Sequence, residues 1–222
     1  MIENKAFKSS IYQQFARIGK AISNSNRLEL LDLISQGEKT VDSLAKETGL
    51  SVANVSQHLQ VLRGSRLVES EKQGHFAVYR LSDRIVNEFL LSMRKLAENR
   101  LAEVEQIARK FFESREGIRE IDKNELLRMI REKEVILLDV RPPEEYRAGH
   151  IPGALSVPLE ELESRISDLP QDEKIVAYCR GPYCVLAVEA VLMLRSKGYR
   201  AIRLEESVMD WKAMGLPVAS GV

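Results

Sequence analysis

Apolar residues in the first third of the chain recur at steps of three and four, the spacing of one face of an α-helix. A stripe that starts at Phe7 and includes Phe15 predicts a first helix with a buried face. The same pattern predicts a second helix that ends near Gly37 and a third over residues 40–48. Ser51 offers an N-cap for a fourth helix, so this part of the chain is expected to be mostly helical.

The fourth predicted helix has an apolar inner face and a polar outer face. Its inward stripe is expected to consist of Val52, Val55, Leu59 and Leu62. Residues 67–81 then have the pattern of two strands around a Gln73-Gly74 turn, which makes a β-ribbon. Two helices joined by a tight turn and followed by a ribbon match a recognition helix in the DNA major groove with a wing along the backbone.

The outer face of the fourth helix and the ribbon carry the candidate DNA contacts. Amide side chains that can donate to and accept from base edges are those of Asn54, Gln57 and Gln60. Hydroxyl and cationic side chains suited to phosphates are those of Ser56, Arg63, Lys72 and Arg80. His58 lies on the same face and has two interpretations, a DNA contact or a surface histidine that packs on its neighbour. No acidic residue occurs between Glu47 and Glu69, so a phosphate can approach here.

Residues 83–113 have a long helical pattern with large apolar side chains such as Phe89 and Ile107 along one side. At about 1.5 Å per residue this helix is roughly 45 Å long, more than a domain of this size covers with its own core. We therefore expect a partner subunit to cover it, which predicts a homodimer. The alternative is a connecting helix with solvent on both faces. The helix is expected to break over Ser114 to Gly117.

From residue 118 onward, predicted strands alternate with predicted helices. The strands are expected over residues 135–140, 175–178 and 201–204, and one helix is expected to start at Asp122. This alternation predicts a mainly parallel α/β sheet with helices on both faces. The expected fold is thus an all-α domain with a β-wing over residues 1–82, a dimerisation and linker helix over 83–117, and an α/β parallel-sheet domain over 118–222.

Composition and charge add little to this picture. The first 114 residues carry 17 Lys and Arg against 14 Asp and Glu, the remainder 16 against 19, and the net charge is zero, so charge favours nucleic-acid binding only weakly. The N-terminus lacks the apolar core of a signal peptide, and no apolar run approaches the roughly 20 residues of a membrane span. We expect a cytoplasmic protein with no membrane partner. Cys179 and Cys184 lie in one segment, an arrangement typical of a reactive site rather than a disulfide framework.

The first half resembles the ArsR/SmtB family of bacterial repressors over about residues 8–110. The segment that carries the resemblance is SVANVSQHLQVLRGSRLVESEKQGHFAVYRLS. It implies a winged helix-turn-helix dimer, built on the first and last helices, that binds an inverted-repeat operator in double-stranded DNA. Metal sensors of this family usually place cysteines in the third helix or histidines in the last. Residues 40–48 have no cysteine and residues 83–113 no histidine, so no metal is expected at those places.

Cys179 is placed at the end of a buried strand, before a loop that leads into a helix. Unpaired N–H groups at the helix N-terminus and the charge of Arg180 are expected to favour its thiolate. Gly181 allows successive N–H groups to converge on the sulfur. The alternatives are a cysteine that only fills the strand end and a metal ligand. With His150 the two thiols offer three ligands where structural zinc uses four, so neither metal nor cofactor is expected.

The second half resembles the rhodanese family over about residues 118–218, through LLDVRPPEEYRAGHIPGALSVPL and WKAMGLPV. The resemblance implies that Cys179 takes up sulfur as a persulfide within a six-residue loop, which resembles the loop of the sulfur-transferring members. The loop's remaining residues are Arg180, Gly181, Pro182, Tyr183 and Cys184. Asp139, Arg141 and His150 are assigned to shaping the surroundings of the loop, with a direct catalytic role as the alternative. Cys184 stands where many rhodaneses have Thr or Ser, and Glu206 and Ser207 where glycines are common.

Three functions follow from these features. The first is a repressor whose DNA affinity depends on the sulfur or oxidation state of Cys179, with Cys184 resolving a persulfide. The second is a sulfurtransferase with a fused DNA-binding domain. The third is a regulator that responds to arsenic or another thiophile. The expected small partner is a sulfur donor such as thiosulfate, polysulfide or a low-molecular-weight persulfide.

Overall fold

The structure is a computed structural model that describes residues 2–113, 120–132 and 134–221. The chain divides into two compact units, residues 1–90 and 91–222. Among the described residues, no helix has both the length and the apolar character needed to cross a bilayer. The predicted helix break over Ser114 to Gly117 lies outside the described residues.

Four helices open the first unit, and side-chain caps define where three of them begin. The helices are α1 (Ile2–Ile22), α2 (Ser25–Ser35), α3 (Val41–Thr48) and α4 (Val52–Gly64). Asn24 caps α2, Thr40 caps α3 and Ser51 caps α4, each by accepting a hydrogen bond from the backbone N–H three residues on. Gly49 ends α3 in the left-handed conformation, at φ 70°. It lets the chain turn sharply between α3 and α4, as the helix-turn-helix prediction requires.

A small antiparallel sheet follows the four helices. Its strands are β1 (Lys39–Thr40), β2 (Val68–Gln73) and β3 (Phe76–Leu81), in the order β1-β3-β2. β2 and β3 form the predicted ribbon, with Gln73 opposite Phe76, and Gly74 adopts φ 62° in the turn. β1 was not anticipated, because two residues carry no periodicity. The core below the sheet contains Leu31, Leu44, Leu59 and Leu62, none of them exposed.

Two details of the predicted apolar faces are wrong for the single chain. Val52 belongs to the predicted inward stripe of α4, but it is half exposed because it lies in the first turn of the helix, beyond the core. The stripe of α1 is not buried within this chain either, since Phe7 and Phe15 are 69% and 64% exposed. A helical period identifies an apolar face, but it does not say which molecule covers that face.

The predicted long helix is two helices, α5 (Arg84–Arg100) and α6 (Ala102–Glu113). The helix is interrupted at Leu101, where neither glycine nor proline marks the sequence. Asn99 donates a side-chain hydrogen bond to the carbonyl oxygen of Lys95 in the last turn of α5, a local alternative to regular helix pairing. The boundary between the two units falls inside α5.

The second unit contains a five-stranded sheet in the order β4-β8-β7-β5-β6, with every strand pair parallel. Its strands are β4 (Glu120–Ile121), β5 (Val135–Asp139), β6 (Leu155–Ser156), β7 (Lys174–Tyr178) and β8 (Arg200–Leu204). Its further helices are α7 (Lys123–Arg131), α8 (Pro143–Ala148), α9 (Leu159–Arg165), α10 (Leu186–Ser196) and α11 (Val208–Ala213). The predicted parallel α/β sheet is confirmed.

Two apolar clusters lie on opposite sides of β7, because alternate residues of a strand point to opposite faces. Ile175 and Ala177 belong to one cluster, with α10, and Val176 and Tyr178 belong to the other, with Trp211 of α11. With both faces covered, β7 is a fully apolar run that ends where the polar loop begins. The fold thus places Cys179 at the carboxyl end of a central strand.

Candidate functional site: a DNA-binding face and a cysteine loop

The outer face of α4 is open to solvent. The side chains of Asn54, Gln57 and Gln60 are exposed. A side chain that contacts base edges must be exposed in this way. Ser56 and His58 are half-buried, so His58 packs partly on its own unit. The structure thus brings the amide side chains together on one accessible helix face, next to the inward residues Val55 and Leu59 that fix the helix on the core.

The cationic candidates differ in their local partners. Lys72 is exposed on β2. Arg80 is exposed on β3 but makes an ion pair with Glu69 on the neighbouring strand, 3.1 Å between Nη2 and Oε2. This pairing raises the pKa of Arg80 above its usual range. Arg63, on the exposed side of α4, donates to the Ser70 hydroxyl oxygen at 3.2 Å. A phosphate at the wing would therefore compete with Glu69 for Arg80.

The cysteine loop runs from the end of β7 to the start of α10. Cys179 is 2% exposed and Cys184 is half-buried, and neither is in a disulfide. Cys179 Sγ lies 3.6 Å from the carbonyl oxygen of Cys184. Each thiol perturbs the ionisation of the other. The six-residue segment that the sequence predicted therefore closes on itself, with the Cys179 thiol against the Cys184 backbone.

The electrostatics of the two thiols differ from the expectation. Burial, followed by the hydrogen bond with Cys184, raises the pKa of Cys179 well above its ordinary value, and these effects outweigh the backbone N–H of Ala187 that favours its thiolate. The hydrogen bond from Cys179 lowers the pKa of Cys184 to about 7, assisted by the backbone N–H groups of Arg180 and Leu186. At rest the loop thus stabilises a thiolate on Cys184, with Cys179 as its hydrogen-bond donor.

Arg180 does not act on the loop as an uncompensated positive charge. Its Nε lies 3.1 Å and 3.0 Å from the two carboxylate oxygens of Glu145, which is fully buried on α8. Such bidentate pairing holds the guanidinium in a fixed plane. Arg180 lowers the pKa of Cys184 as the smallest of several contributions. Its principal role in the structure is to fix the loop to α8.

Three further contacts hold the middle of the loop. Gly181 has φ 127°, which side-chain-bearing residues rarely adopt, so the backbone conformation favours glycine there; a Cβ atom would meet Arg94 Nη1 and Ser207 Cβ at 3.4 Å each, which is close to ordinary contact. The Pro182 carbonyl oxygen accepts a hydrogen bond from Arg203 Nη2 at 2.6 Å. The Tyr183 hydroxyl donates to Glu98 Oε1 at 2.8 Å, and burial together with this carboxylate raises the pKa of Tyr183 to about 12.

Asp139, Arg141 and His150 form a buried polar layer beside β7. Arg141 binds Asp139 through Nε and Nη2, at 2.9 Å and 2.6 Å, and it also donates to the carbonyl oxygen of Gly149. His150 stacks on Tyr146, with ring centroids 3.7 Å apart, and its Nδ1 lies 2.9 Å from the Tyr146 carbonyl oxygen. These contacts are those of a structural network. In the described parts of the chain, no three His, Cys, Asp or Glu side chains are gathered as metal ligands.

The sequence reasoning missed three residues that hold the loop: Glu145, Arg203 and Glu98. Glu145 and its neighbour Tyr146 were recognised only as a family motif. Arg203 lies in the predicted strand over residues 201–204. An arginine inside a buried strand is itself a signal that a polar partner lies nearby. Glu98 gave no signal, because it lies 85 residues from Tyr183 in the sequence.

These features define a class of protein: a winged helix-turn-helix regulator that carries a rhodanese-like domain with a two-cysteine loop. Two family models match the chain, "Bacterial regulatory protein, arsR family" over residues 24–70 and "Rhodanese-like domain" over residues 122–214. The HTH-type transcriptional regulator Rv0324 of Mycobacterium tuberculosis is 42% identical over 214 residues, which cover 96% of this chain and 94% of that protein. The chain therefore belongs to the family of ArsR-type transcriptional regulators with a rhodanese-like domain, and the predicted two-domain fold is confirmed.

Two further comparisons each cover one half. A sulfurtransferase of Allochromatium vinosum is 33% identical over 105 residues, or 46% of this chain and 96% of that protein. The solution structure of the homodimeric winged helix-turn-helix domain (fragment 1-100) of Mb0332 from Mycobacterium bovis is 35% identical. It covers 42% of this chain and 87% of that chain, with a TM-score of 0.41.

Proposed function

We propose that this regulator is a homodimeric repressor whose affinity for an inverted-repeat operator changes when Cys179 takes up sulfane sulfur. It acts in the cytoplasm, where its DNA target lies. The observation that carries the proposal is the pair of unlinked thiols in one loop, with the Cys179 thiol 3.6 Å from the Cys184 carbonyl oxygen and each thiol perturbing the ionisation of the other. A sulfur carrier needs one thiol, whereas a switch that resolves its own persulfide needs a second thiol in contact with the first.

The first step is sulfur uptake. The Cys179 thiolate attacks the outer sulfur of a polysulfide, a low-molecular-weight persulfide or thiosulfate, and the S–S bond of the donor breaks. For thiosulfate the products are the persulfide Cys179–S–S⁻ and sulfite, which leaves with the bonding electron pair. The Cys179 proton must leave first. We assign its acceptor to the Cys184 thiolate, because Cys184 is the neighbouring thiol in the loop and its pKa is lowered to about 7.

The second step is resolution. The proton that Cys184 took up passes to the outer sulfur of the persulfide, the Cys184 sulfur attacks the Cys179 sulfur, a Cys179–Cys184 disulfide forms, and the outer sulfur leaves as hydrosulfide. The two cysteine sulfurs lose two electrons and the sulfane sulfur gains them, so no further oxidant is required. A disulfide brings the sulfur atoms to about 2.05 Å, closer than two hydrogen-bonded thiols can approach. The loop must therefore change shape, and Tyr183 and Pro182 lie within it.

The homodimer is supported by apolar surface that the single chain leaves uncovered. On α1 the exposed side chains include Phe7, Tyr12 and Phe15, and on α5 they include Ile85 and Leu96. Several large apolar side chains exposed along one helix are typical of a surface that a partner covers. A two-fold dimer that buries these helices would present two α4 helices to DNA, with half-sites about one helical turn, roughly 34–36 Å, apart.

A second candidate function is that of a sulfurtransferase with a fused DNA-binding domain. It is favoured by the position of Cys179 at the end of β7, in a half of the chain that resembles a sulfurtransferase over nearly that protein's whole length. In that case Cys179→Ser abolishes sulfur transfer to an added thiol acceptor, and Cys184→Ser keeps part of it, because attack on the donor requires one nucleophile. Multiple turnovers with no change in operator affinity would favour this candidate.

The deciding experiment combines mass spectrometry with operator binding. We treat three proteins with polysulfide: the wild type, Cys179→Ser and Cys184→Ser. The mass of each is measured by mass spectrometry, and each is then titrated with operator DNA at one salt concentration. We expect a disulfide in the wild type, a persulfide on Cys179 in Cys184→Ser, no disulfide in Cys179→Ser, and a change in affinity of about 5- to 150-fold only where Cys179 is modified. Equal affinity of reduced and treated wild-type protein would exclude the switch.

A further inference from the structure

An apolar groove borders the cysteine loop, and the residues that line it all belong to the second unit. Its volume is about 350 Å³. Tyr183 and Val185 form the wall on the side of the loop. The opposite wall is α6, which contributes five apolar side chains: Val104, Ile107, Ala108, Phe111 and Phe112. The groove thus lies between α6 and the two residues that flank Cys184 in the chain.

Both walls of the groove are open to solvent in the single chain. Ile107 is 72% exposed, and Tyr183 and Val185 are 48% and 38% exposed. Leu96 on α5 and Leu101 at the helix break, which precede the groove in the sequence, are 61% and 52% exposed. Since Ile107 is so exposed, a small molecule in the groove would still leave much of this side chain in water. A helix packed across the groove would cover it, so the surface fits a protein partner.

The charges on α6 favour a second copy of the same helix as that partner. Glu103 lies one turn before Ile107 and Lys110 one turn after it, and both are exposed. Residues three or four positions apart share a helix face, so the two charges flank Ile107 on one side of α6. A two-fold dimer uses the same surface of both protomers. Two α6 helices that cross antiparallel at Ile107 would therefore place Glu103 of each protomer opposite Lys110 of its partner.

We propose that the groove receives α6 of a second copy of this chain, so that the cysteine loop borders the two-fold interface. This rests on the homodimer of the proposed function and is continuous with it, because Leu96 lies on the α5 surface assigned to that dimer. It adds the loop to the interface through Tyr183 and Val185. A loop that changes shape when Cys179 and Cys184 are linked then acts directly on the partner subunit, which couples the sulfur site to the spacing of the dimer.

The first test measures the dimer dissociation constant of the full-length reduced protein by analytical ultracentrifugation. Ile107→Glu on α6 and Val185→Glu on the loop should each weaken dimerisation by at least about tenfold, because each places a carboxylate in an apolar interface. Leu155→Glu should dimerise like the wild type, since it changes an apolar residue of the same unit that is 47% exposed on the edge strand β6. A monomeric wild type would overturn both the homodimer and this inference. A dimeric wild type in which either groove variant dimerises as tightly as Leu155→Glu would overturn this inference alone.

Two further measurements identify the occupant of the groove. Glu103→Lys and Lys110→Glu should each weaken the dimer by about threefold to tenfold, and the double variant should recover the wild-type affinity, because exchange of both charges restores the pairs between protomers. Replacement of Ile107 by the photoreactive residue p-benzoylphenylalanine should give, on illumination, a covalent dimer linked to α6 or the cysteine loop of the partner. Links only within one chain or to a co-purified small molecule would overturn the proposal, as would a double variant that dimerises no more tightly than the single variants.

Discussion

The ionisation of Cys184 depends on a hydrogen bond from Cys179, and this dependence can be measured. The structure places the pKa of Cys184 at about 7, against an ordinary value of 9.0, with the bond from Cys179 as the largest cause. At pH 7 a thiol of pKa 7 is about half thiolate, whereas one of pKa 9 is only ~1% thiolate. We therefore expect the alkylation rate of Cys184 by iodoacetamide to rise with pH along a curve whose midpoint is near pH 7.

Two substitutions at position 179 provide the perturbation and its control. Cys179→Ala removes the donor, so the midpoint for Cys184 should move up toward 9. Cys179→Ser keeps a hydroxyl donor of similar reach, so the midpoint should stay close to that of the wild type. Since a lower pKa also makes a thiolate less nucleophilic, the rate at pH 7 should fall by less than the ~50-fold change in thiolate fraction, roughly 5- to 8-fold in Cys179→Ala.

The assay is peptide mass spectrometry of the alkylated protein from pH 5.5 to 10, which reads each cysteine separately. Cys179 should react slowly over most of this range, because burial holds its pKa well above the ordinary value. The reasoning is refuted if Cys184 in the wild type titrates near pH 9, or if the Ala and Ser variants have the same midpoint. In either case a hydrogen bond from Cys179 is not what lowers the pKa of Cys184.

The remaining predictions concern the DNA-binding face, the dimer and the buried polar layer. Gln57→Ala should relax base preference at one operator position by about 1–3 kcal/mol. Lys72→Ala should weaken binding to all DNA sequences alike and lower the slope of log affinity against log salt concentration by about 1, as measured by binding titrations across salt concentrations. Phe15→Glu should weaken dimerisation by about 30-fold in sedimentation analysis, the effect of a ~2 kcal/mol anchor, whereas Phe76→Glu at the wing should not. Asp139→Asn should cost about 3–5 kcal/mol in urea unfolding, because it leaves a buried guanidinium without its carboxylate, and a loss below ~1 kcal/mol would contradict this account.

The elements that the sequence predicted well are those with a strong local signal. Gly49 ends α3 and Ser51 caps α4, so capping residues predicted the position of the helix-turn-helix. The apolar run of β7 ends just before Cys179, so the hydrophobic pattern predicted the position of the loop. The parallel sheet followed from alternation of strands and helices, since a parallel pair requires a crossover. In each case neighbours in the sequence determine the structure.

What the sequence did not predict depends on contacts between distant residues. The pKa of Cys179 follows from its burial and from Cys184, and the charge of Arg180 is compensated by Glu145, which lies 35 residues away. No glycine or proline in the sequence marks the helix break at Leu101. The exposed face of α1 has the same period as a buried one, so periodicity alone did not predict that this face is exposed in the single chain.

The course of α5 decides how the protein can be divided. Arg94 in its second half binds Asp210, and the other carboxylate oxygen of Asp210 accepts hydrogen bonds from the N–H and hydroxyl of Ser207 at the start of α11. A fragment that began at residue 118 would contain the strands of the five-stranded sheet and both cysteines, yet its Asp210 would lack Arg94, and Tyr183 would lack Glu98. In such a fragment the cysteine loop would lack two of the contacts that hold it in the whole chain. Fragments meant to isolate the rhodanese-like half should therefore begin before Arg94 and so retain part of the helix that leads to the DNA-binding unit.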